Sequence, residues 1–263
     1  MSQILKQGRY HLSFAVRKTW RRLQNSLQKE RFARERSEQS LPNLILEHRL
    51  PIYRKLPGVV PDLFSNKKIN LSLAIAEIDG ILIQPGKTFS LWQLVGPPTA
   101  ERGYREGLIL QGGKPGRGVG GGLCQLANAL FWLVLHSDLQ VLERHHHSLD
   151  LFPDDHRQVP FGTGATIVYN FKDLRFFNPG TGVYQFRFEL NERELKARLF
   201  SNLEASHRYR IREADHAFLP QPDGLFRRNT IVRERRSLDG RVLGEEILFE
   251  NLAKCSYTLQ EAV

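Results

Sequence analysis

The chain has 263 residues, of which 41% are hydrophobic, 25% charged and 10% aromatic, a composition typical of a folded globular protein. This composition excludes a disordered or fibrous chain, and no apolar run approaches the ~18 residues that a membrane-spanning helix needs. The two cysteines, Cys124 and Cys255, predict free thiols in a reducing compartment rather than a disulfide framework. Because no signal-type apolar block is present near residue 1, we expect a cytoplasmic protein.

The formal net charge of +10 is concentrated at one end of the chain. Residues 1–40 contain ten Lys or Arg and three Glu, a balance of +7 that leaves +3 for all the others. Apolar residues recur at helical spacing through the same segment, at Leu5, Leu12, Val16, Trp20, Leu23 and Leu27. The pattern predicts a basic amphipathic helix over residues 3–36, within an N-terminal segment of residues 1–40.

This helix has two principal interpretations. It docks on its own domain and leaves its polar face in solvent, or it lies on an anionic membrane with Trp20 at the interface. The second alternative makes the protein peripheral on the inner membrane face. Nucleic acid is a less favoured partner, because no nucleic-acid-binding motif accompanies the charge.

Proline and glycine mark the order of the elements that follow. Residues 41–62 read as a connector with four prolines, and residues 63–200 as the core domain. The core is expected to begin with a helix capped by Ser65 or Asn66. Further elements are a strand at 81–83, a helix at 123–136, a strand at 140–144 and a strand pair within 164–178.

The C-terminal third alternates apolar and polar residues, as strands do. We expect one hairpin from residues 184–190 and 194–200, and a second from residues 230–236 and 242–249. The second hairpin belongs to a β-rich extension, residues 201–263, packed on the core. The fold class is therefore α+β, with a helix-containing core, a mixed or antiparallel sheet and C-terminal antiparallel hairpins.

The junction at Cys124 is the most informative motif. Nine glycines lie between residues 103 and 122, and an apolar helix follows at once. Cys124 falls in the first turn of that helix, where free N–H groups and the helix dipole favour a thiolate. His145 and His147, 21 and 23 residues downstream, are candidate bases. Candidates for an acid that orients the imidazole are Asp150, Asp154 and Asp173.

Two alternatives compete with a reactive thiol. In the first, Cys124 is a small buried residue that fits a glycine turn. In the second, Cys124, His145 and His147 hold zinc. The zinc site is the less favoured alternative, because the spacing of these residues is not a specific metal motif. We therefore expect no cofactor. The glycines lack the lysine and the preceding strand of nucleotide-binding loops.

Several blocks of residues form a recognisable series, namely Gly86–Ser90, Trp92 with Leu94–Thr99, Gly118–Gln125, Leu133–Ser137, Glu143–Ser148, Pro160–Gly162 with Gly164–Thr166, and Asp173–Leu174 with Phe176 and Asn178. Together they resemble the VanW family, which is named for an accessory protein of some vancomycin-resistance gene clusters, and the resemblance covers about residues 60–200. The resemblance is to the short, single-domain branch. It implies a role in cell-wall or envelope metabolism.

The resemblance also marks residues by position. Cys124, Gln125, Arg144, His145, His147, Ser148 and Asp173 match shared motifs, whereas Ala127 stands where relatives commonly have Ser. Retained cysteine and histidine residues favour a functional thiol.

Two functional hypotheses follow. The first is a cysteine-dependent hydrolase or acyltransferase on a peptide or amide, with Cys124 as nucleophile, His147 or His145 as base and Asp173 or Asp150 as orienting acid. The amides of residues 121–124 then stabilise the oxyanion. The second is a non-catalytic module that binds a small molecule or peptide, such as a cell-wall precursor, and is tethered to the membrane by the basic segment. In both, the predicted substrate-binding residues are Trp92, Gly120, Gly121, Gly122, Gln125, Arg144 and Ser148.

Overall fold

A computed structural model describes residues 16, 19–27, 31–52, 62–111, 114–147, 149–150 and 159–258. The helices are α1 (residues 19–27), α2 (Asp62–Ala76), α3 (Leu91–Val95) and α4 (Cys124–Leu135), with a short 3-10 turn at Ala100–Arg102. No helix in these described ranges is long and apolar enough to cross a membrane.

Strands make up most of the remaining regular structure. They are β1 (Asn43–Pro51), β2 (Leu82–Ile83), β3 (Thr88–Ser90), β4 (Glu106–Gln111), β5 (Lys114–Val119), β6 (Gln140–Glu143), β7 (Leu149–Asp150), β8 (Arg175–Phe177), β9 (Tyr184–Leu190), β10 (Glu194–Ser201), β11 (Arg208–Gln221), β12 (Gly224–Arg236) and β13 (Val242–Cys255). Helices mixed with mainly antiparallel sheets confirm the predicted α+β class.

The strands form four sheets. Their orders are β1-β10-β9-β2, β11-β12-β13-β7, β3-β8-β6 and β4-β5. Both predicted hairpins are present, because β9 pairs with β10 and β12 with β13 in antiparallel register. The glycine-rich stretch before α4 contains an additional hairpin, β4–β5, that the sequence did not predict, since its many glycines weaken any strand pattern.

The core is centred on α4. This helix is apolar on nearly every side, and its buried residues include Leu126, Leu130 and Phe131. It packs against β1 and β10, while α2 supplies further buried aliphatic residues. A helix that is hydrophobic all round has to be enclosed by other elements, which explains why sheets and helix α2 surround it.

Three local expectations need correction. Residues 31–36, predicted to be helical, are extended and pair with the core, at Phe32 with Thr88 and at Arg36 with Ile81. The segment read as a connector contains β1, which runs antiparallel to β10 over its whole length. Residues 164–178 hold only β8 and a bridge from Val168 to Lys172, because the chain turns at 169–171 instead of extending.

Helix α1 contacts the core through its polar side. Arg21 donates to Glu143 and to the Phe171 carbonyl oxygen, and Asn25, which is 6% exposed, accepts from Arg175. The apolar residues of α1 lie on the opposite side and are exposed, namely Trp20 at 60%, Leu23 at 51% and Leu27 at 79%, and Val16, which precedes α1, is 60% exposed as well. This arrangement differs from the first of the two interpretations, a helix docked on its own domain with its polar face in solvent.

Candidate functional site

Cys124 occupies the predicted position at the start of α4. The turn before it has positive φ angles at Gly120 (80°) and Gly122 (94°), which side chains rarely adopt. Gly121 lies against β4, since a Cβ atom there would be 2.2 Å from the carbonyl carbon of Gly107. Glycine is therefore required by backbone geometry and close packing at these three positions.

The amides of this turn already have acceptors. Gly120 N–H donates to the Arg105 oxygen at 3.0 Å, Gly121 N–H to Gly118 at 3.1 Å and Gly122 N–H to Leu108 at 3.2 Å. Two of the amides expected to stabilise an oxyanion thus hold the turn to the β4–β5 hairpin. An oxyanion would have to compete with these backbone hydrogen bonds.

The thiol of Cys124 is half-buried against the apolar core. Burial raises its pKa above the ordinary value, and a backbone hydrogen bond with Ile167 offsets only part of this effect. The thiol is therefore mainly protonated at neutral pH, in contrast to the thiolate that the helix dipole favours. Desolvation is the stronger influence at this position.

His147 lies in a cluster with Asn128, Gly164 and Thr166, which we call the His147 cluster. Its Nδ1 is 2.8 Å from the Thr166 hydroxyl, and a Cβ on Gly164 would be 2.8 Å from its Cδ2. Asn128, one helical turn after Cys124, accepts from the Ala165 amide at 2.7 Å. Burial, with the nearby Arg144 charge, lowers the pKa of His147 to about 4, so the imidazole is neutral at pH 7.

Residues 166 and 167 lie between Cys124 and the two histidines, His145 and His147. Ile167 contacts the thiol, and Thr166 contacts His147 and also donates its amide to the His145 oxygen at 2.7 Å. Among the described residues, no hydrogen bond joins the Cys124 sulfur to either imidazole. Within the same ranges, no group of three His, Cys, Asp or Glu residues is placed to hold a metal ion.

His145 has a different carboxylate partner from those predicted. Its Nε2 is 3.0 Å from Oε1 of Glu143, which also accepts from the Asp173 amide at 2.9 Å. Arg21 of α1 makes a bidentate ion pair with the same carboxylate, at 2.5 and 2.8 Å. Burial would raise the pKa of Glu143, but these hydrogen bonds outweigh it and hold the pKa at about 2. We call Arg21, Glu143, His145, Asp173 and Arg175 the Glu143 cluster.

The predicted orienting acids have other partners. Asp173 accepts from the Ser90 hydroxyl at 2.5 Å, the Trp92 amide at 3.1 Å and Arg175 at 2.8 Å, and thereby holds the start of α3. Asp150 is buried beside Tyr257 and Arg227, in contact with the C-terminal sheet. Asp154 and Ser148 lie outside the described residues.

The remaining predicted binding residues are buried, as Trp92 is, or half-buried, as Arg144 and Gln125 are. Arg144 stacks on Phe131 and Phe249, with its guanidinium carbon 4.9 and 4.3 Å from the ring centres, and donates to the Gly162 and Gly164 oxygens. Trp92 is buried, and its indole donates to the Lys172 oxygen at 2.8 Å. Gln125 donates to the Pro51 oxygen at 2.7 Å, so all three side chains connect elements of the fold.

One protein-family model covers the part of the chain that contains this site. That part includes the glycine turn, Cys124 at the start of α4 and the Glu-Arg-His-His-His sequence of residues 143–147. The family model described as "VanW like protein" matches residues 66–200. The chain belongs to the VanW family. Every residue of the His147 cluster and of the Glu143 cluster except Arg21 lies inside that match, whereas α1 lies outside it.

Two curated relatives support membership of the VanW family. The chain is 30% identical over 233 residues to "Vancomycin B-type resistance protein VanW" of Enterococcus faecalis (strain ATCC 700802 / V583), covering 88% of this chain and 85% of the relative. It is 37% identical over 109 residues to "Uncharacterized protein YoaR" of Bacillus subtilis (strain 168), covering 41% of this chain and 34% of that protein. No solved structure matches the chain.

Six members of these VanW-family clusters were not predicted as site residues, among them Asn128, Glu143 and Thr166. Asn128 was detectable, since it is a polar residue in an apolar helix, four positions after Cys124. Glu143 was detectable because it precedes His145 by two positions, on the same side of a strand. Nothing in the local sequence distinguishes Thr166, whose position depends on how the 164–167 segment crosses the histidines.

Proposed function

We propose that this chain is an accessory protein of cell-wall metabolism that works while α1 lies on an anionic membrane surface. Its relative in Enterococcus faecalis bears the name of a vancomycin B-type resistance protein, which supports the process. The observation that carries the membrane proposal is the orientation of α1, with polar residues toward the core and apolar residues in solvent. A small molecule or peptide, such as a cell-wall precursor, is the proposed ligand of the core.

The inward side of α1 gives the helix a fixed orientation. Arg21 and Asn25 are four residues apart, so both point to one side of the helix. Each has a partner on the core, Glu143 for Arg21 and Arg175 for Asn25. Because these contacts hold the polar side, the opposite apolar side is presented outward without rearrangement of the fold.

The outward side has the chemistry of a membrane-surface helix. Val16, Trp20, Leu23 and Leu27 are spaced by four, three and four residues, which forms one stripe at 100° per residue. Trp20 suits the interface between headgroups and acyl chains. Burial of such side chains contributes about 1.5–3 kcal/mol each, enough for reversible attachment.

Charge favours an anionic lipid surface as the occupant of this stripe. Residues 1–40 carry a balance of +7, and Arg22 is exposed on α1 itself. Basic residues near such a surface contribute about 1 kcal/mol each and lose that contribution at high salt. An apolar stripe alone would fit a partner protein equally well, but an apolar stripe flanked by cations fits anionic lipid better.

Flotation of the full chain with vesicles tests this proposal. We expect binding to vesicles that contain anionic lipid, weaker binding at high salt, and little binding to neutral vesicles. Leu27→Ser should reduce binding about tenfold, because it removes one apolar anchor. Leu238→Ser is the matched control, since Leu238 is 59% exposed in the distant β12–β13 turn, and it should bind as the parent does. Equal loss in both variants would contradict the proposal.

A cysteine-dependent hydrolase or acyltransferase is the second candidate. The position of Cys124 in the first turn of α4 after a glycine turn favours it. Iodoacetamide labelling below pH 7 separates the candidates. Rapid labelling of Cys124, slowed by His147→Gln, would support the enzyme. Slow labelling of Cys124 and Cys255 alike would support the accessory protein, since a raised thiol pKa leaves little thiolate.

A further inference from the structure

A partly open cavity lies beside the extended segment that follows α1. Ala33 N–H donates to the Thr88 oxygen of β3, and Leu82 N–H of β2 donates to the Glu35 oxygen. Since β2 and β3 belong to different sheets, the segment spans the gap between them. Gln84 and Lys87, in the turn after β2, also line this cavity, which is partly open to solvent and has a volume of about 190 Å³.

Charged, polar and apolar side chains all line this cavity. Arg34 and Lys87 supply two cations, Glu35 and Gln84 supply a carboxylate and an amide, and Phe32 with Leu82 supplies an apolar wall. The Gln84 amide donates to Glu35 at 3.1 Å, which orients the carboxylate. The Arg34 guanidinium is exposed and has no hydrogen-bond or ion-pair partner among the described residues. The cavity thus offers donors for an anion next to acceptors for hydroxyl groups.

The cavity is connected to α1. Arg175 donates to Asn25 of α1 at 2.7 Å, and its guanidinium carbon is 5.3 Å from the ring centre of Phe32 in the cavity wall. The helix and the cavity are therefore joined through one side chain.

We propose that the cavity binds the phosphoglycerol headgroup of an anionic lipid. Arg34 and Lys87 hold the phosphate, because guanidinium and ammonium groups make charge-assisted hydrogen bonds to phosphate oxygens. Glu35 and Gln84 accept hydrogen bonds from the glycerol hydroxyls. This site rests on the proposed attachment of α1 to the membrane. It gives the protein a preference for one lipid headgroup, whereas the attraction of the basic segment to anionic lipid depends on charge alone.

The test compares two anionic lipids of equal charge. Full-length protein is titrated with phosphatidylcholine vesicles that contain phosphatidylglycerol or phosphatidylserine at the same mole fraction. We expect about tenfold tighter binding to phosphatidylglycerol, the effect of one or two charge-assisted hydrogen bonds. Arg34→Gln should abolish that preference. Arg31→Gln removes the same charge from an exposed residue of the same segment that does not line the cavity, and it should weaken binding to both lipids equally.

Several outcomes would overturn the headgroup site. Equal binding of the parent chain to both lipids would do so, as would identical effects of Arg34→Gln and Arg31→Gln. The affinity of the full-length protein for two soluble compounds, glycerol 1-phosphate and inorganic phosphate, is also measured. Equal affinity for the two would identify free phosphate as the ligand and overturn the lipid assignment. Trp20→Ser tests α1 separately: it should weaken binding to both lipids, and no effect on either would refute the proposed function whatever the headgroup preference.

Discussion

Helices α4 and α1 use opposite sides to contact the same core. In α4 the apolar residues are buried, with Leu126, Leu130 and Leu133 among eight buried positions. In α1 the buried contacts are polar, and the large apolar side chains are in solvent. Amphipathic spacing therefore identifies a helix but does not decide which of its sides faces the protein.

The two modes of contact predict different roles. Burial of apolar area provides most of the stability of a fold, so α4 is a structural element whose loss would unfold the core. A few polar contacts contribute about 1 kcal/mol each, so α1 adds little to stability and keeps its apolar surface for another partner.

Truncation in α4 should have the largest effect. Leu130→Ala removes a fully buried side chain at the centre of the core and should lower the free energy of unfolding by about 3 kcal/mol. Leu23→Ala in α1 removes the same atoms from an exposed position and should change it by less than about 0.5 kcal/mol. Urea denaturation of both variants measures the difference, and similar losses would eliminate the contrast between the helices.

The His147 cluster, which contacts α4 through Asn128, should make stability depend on pH. Because the pKa of His147 is lowered from 6.5 to about 4, the unfolded chain takes up a proton in this range and the folded chain does not. Stability should therefore fall as the pH drops from 6.5 to 4, by at most about 3 kcal/mol from this residue.

His48 provides an internal control for that pH dependence. Burial lowers its pKa to about 4 as well, so it contributes a second, separate loss over the same range. His147→Gln should remove only part of the slope, and His48→Gln with His147→Gln should remove most of it. Denaturation curves at several pH values check this, and an unchanged slope in the double variant would contradict the burial of the two imidazoles.

Glu143, which pairs with Arg21 of α1, should stabilise the fold at pH values above the ordinary pKa of a glutamate. Its pKa of about 2 means that the stabilisation is complete above pH 4.5 and is lost as the pH falls toward 2. Glu143→Gln should lower the free energy of unfolding by about 2 kcal/mol at pH 7 and by much less near pH 2. A deficit that does not shrink in acid would mean that the ion pair with Arg21 is absent in solution.

The smallest effect is expected at the second contact of α1. Asn25→Ala removes the acceptor of the Arg175 hydrogen bond and should cost about 1 kcal/mol. It should also speed amide hydrogen exchange in residues 19–27 without changing exchange in α4. Ser26→Ala, at an exposed neighbouring position, is the control that should leave both regions unchanged.

The features predicted correctly from the sequence depend on neighbouring residues. The two C-terminal hairpins and the position of Cys124 at the start of α4 follow from alternation, turn residues and a glycine-to-apolar transition. Features that depend on distant partners were missed. Glu143 pairs with Arg21, which is 122 residues away, and β1 is a strand because β10 lies beside it. The predicted thiolate depended on the helix start alone, whereas burial by distant segments determines the pKa of Cys124.

We propose that α1 inserts its apolar side into the lipid surface while its polar side stays on the core. A spin label at Leu23→Cys, corrected for any signal from the unsubstituted chain, measures this directly through collision with oxygen and with a water-soluble nickel complex. On anionic vesicles we predict more collisions with oxygen and fewer with nickel, and no change for a label at Leu203→Cys, which is also exposed. Unchanged accessibility at residue 23 in the presence of bound vesicles would contradict the account.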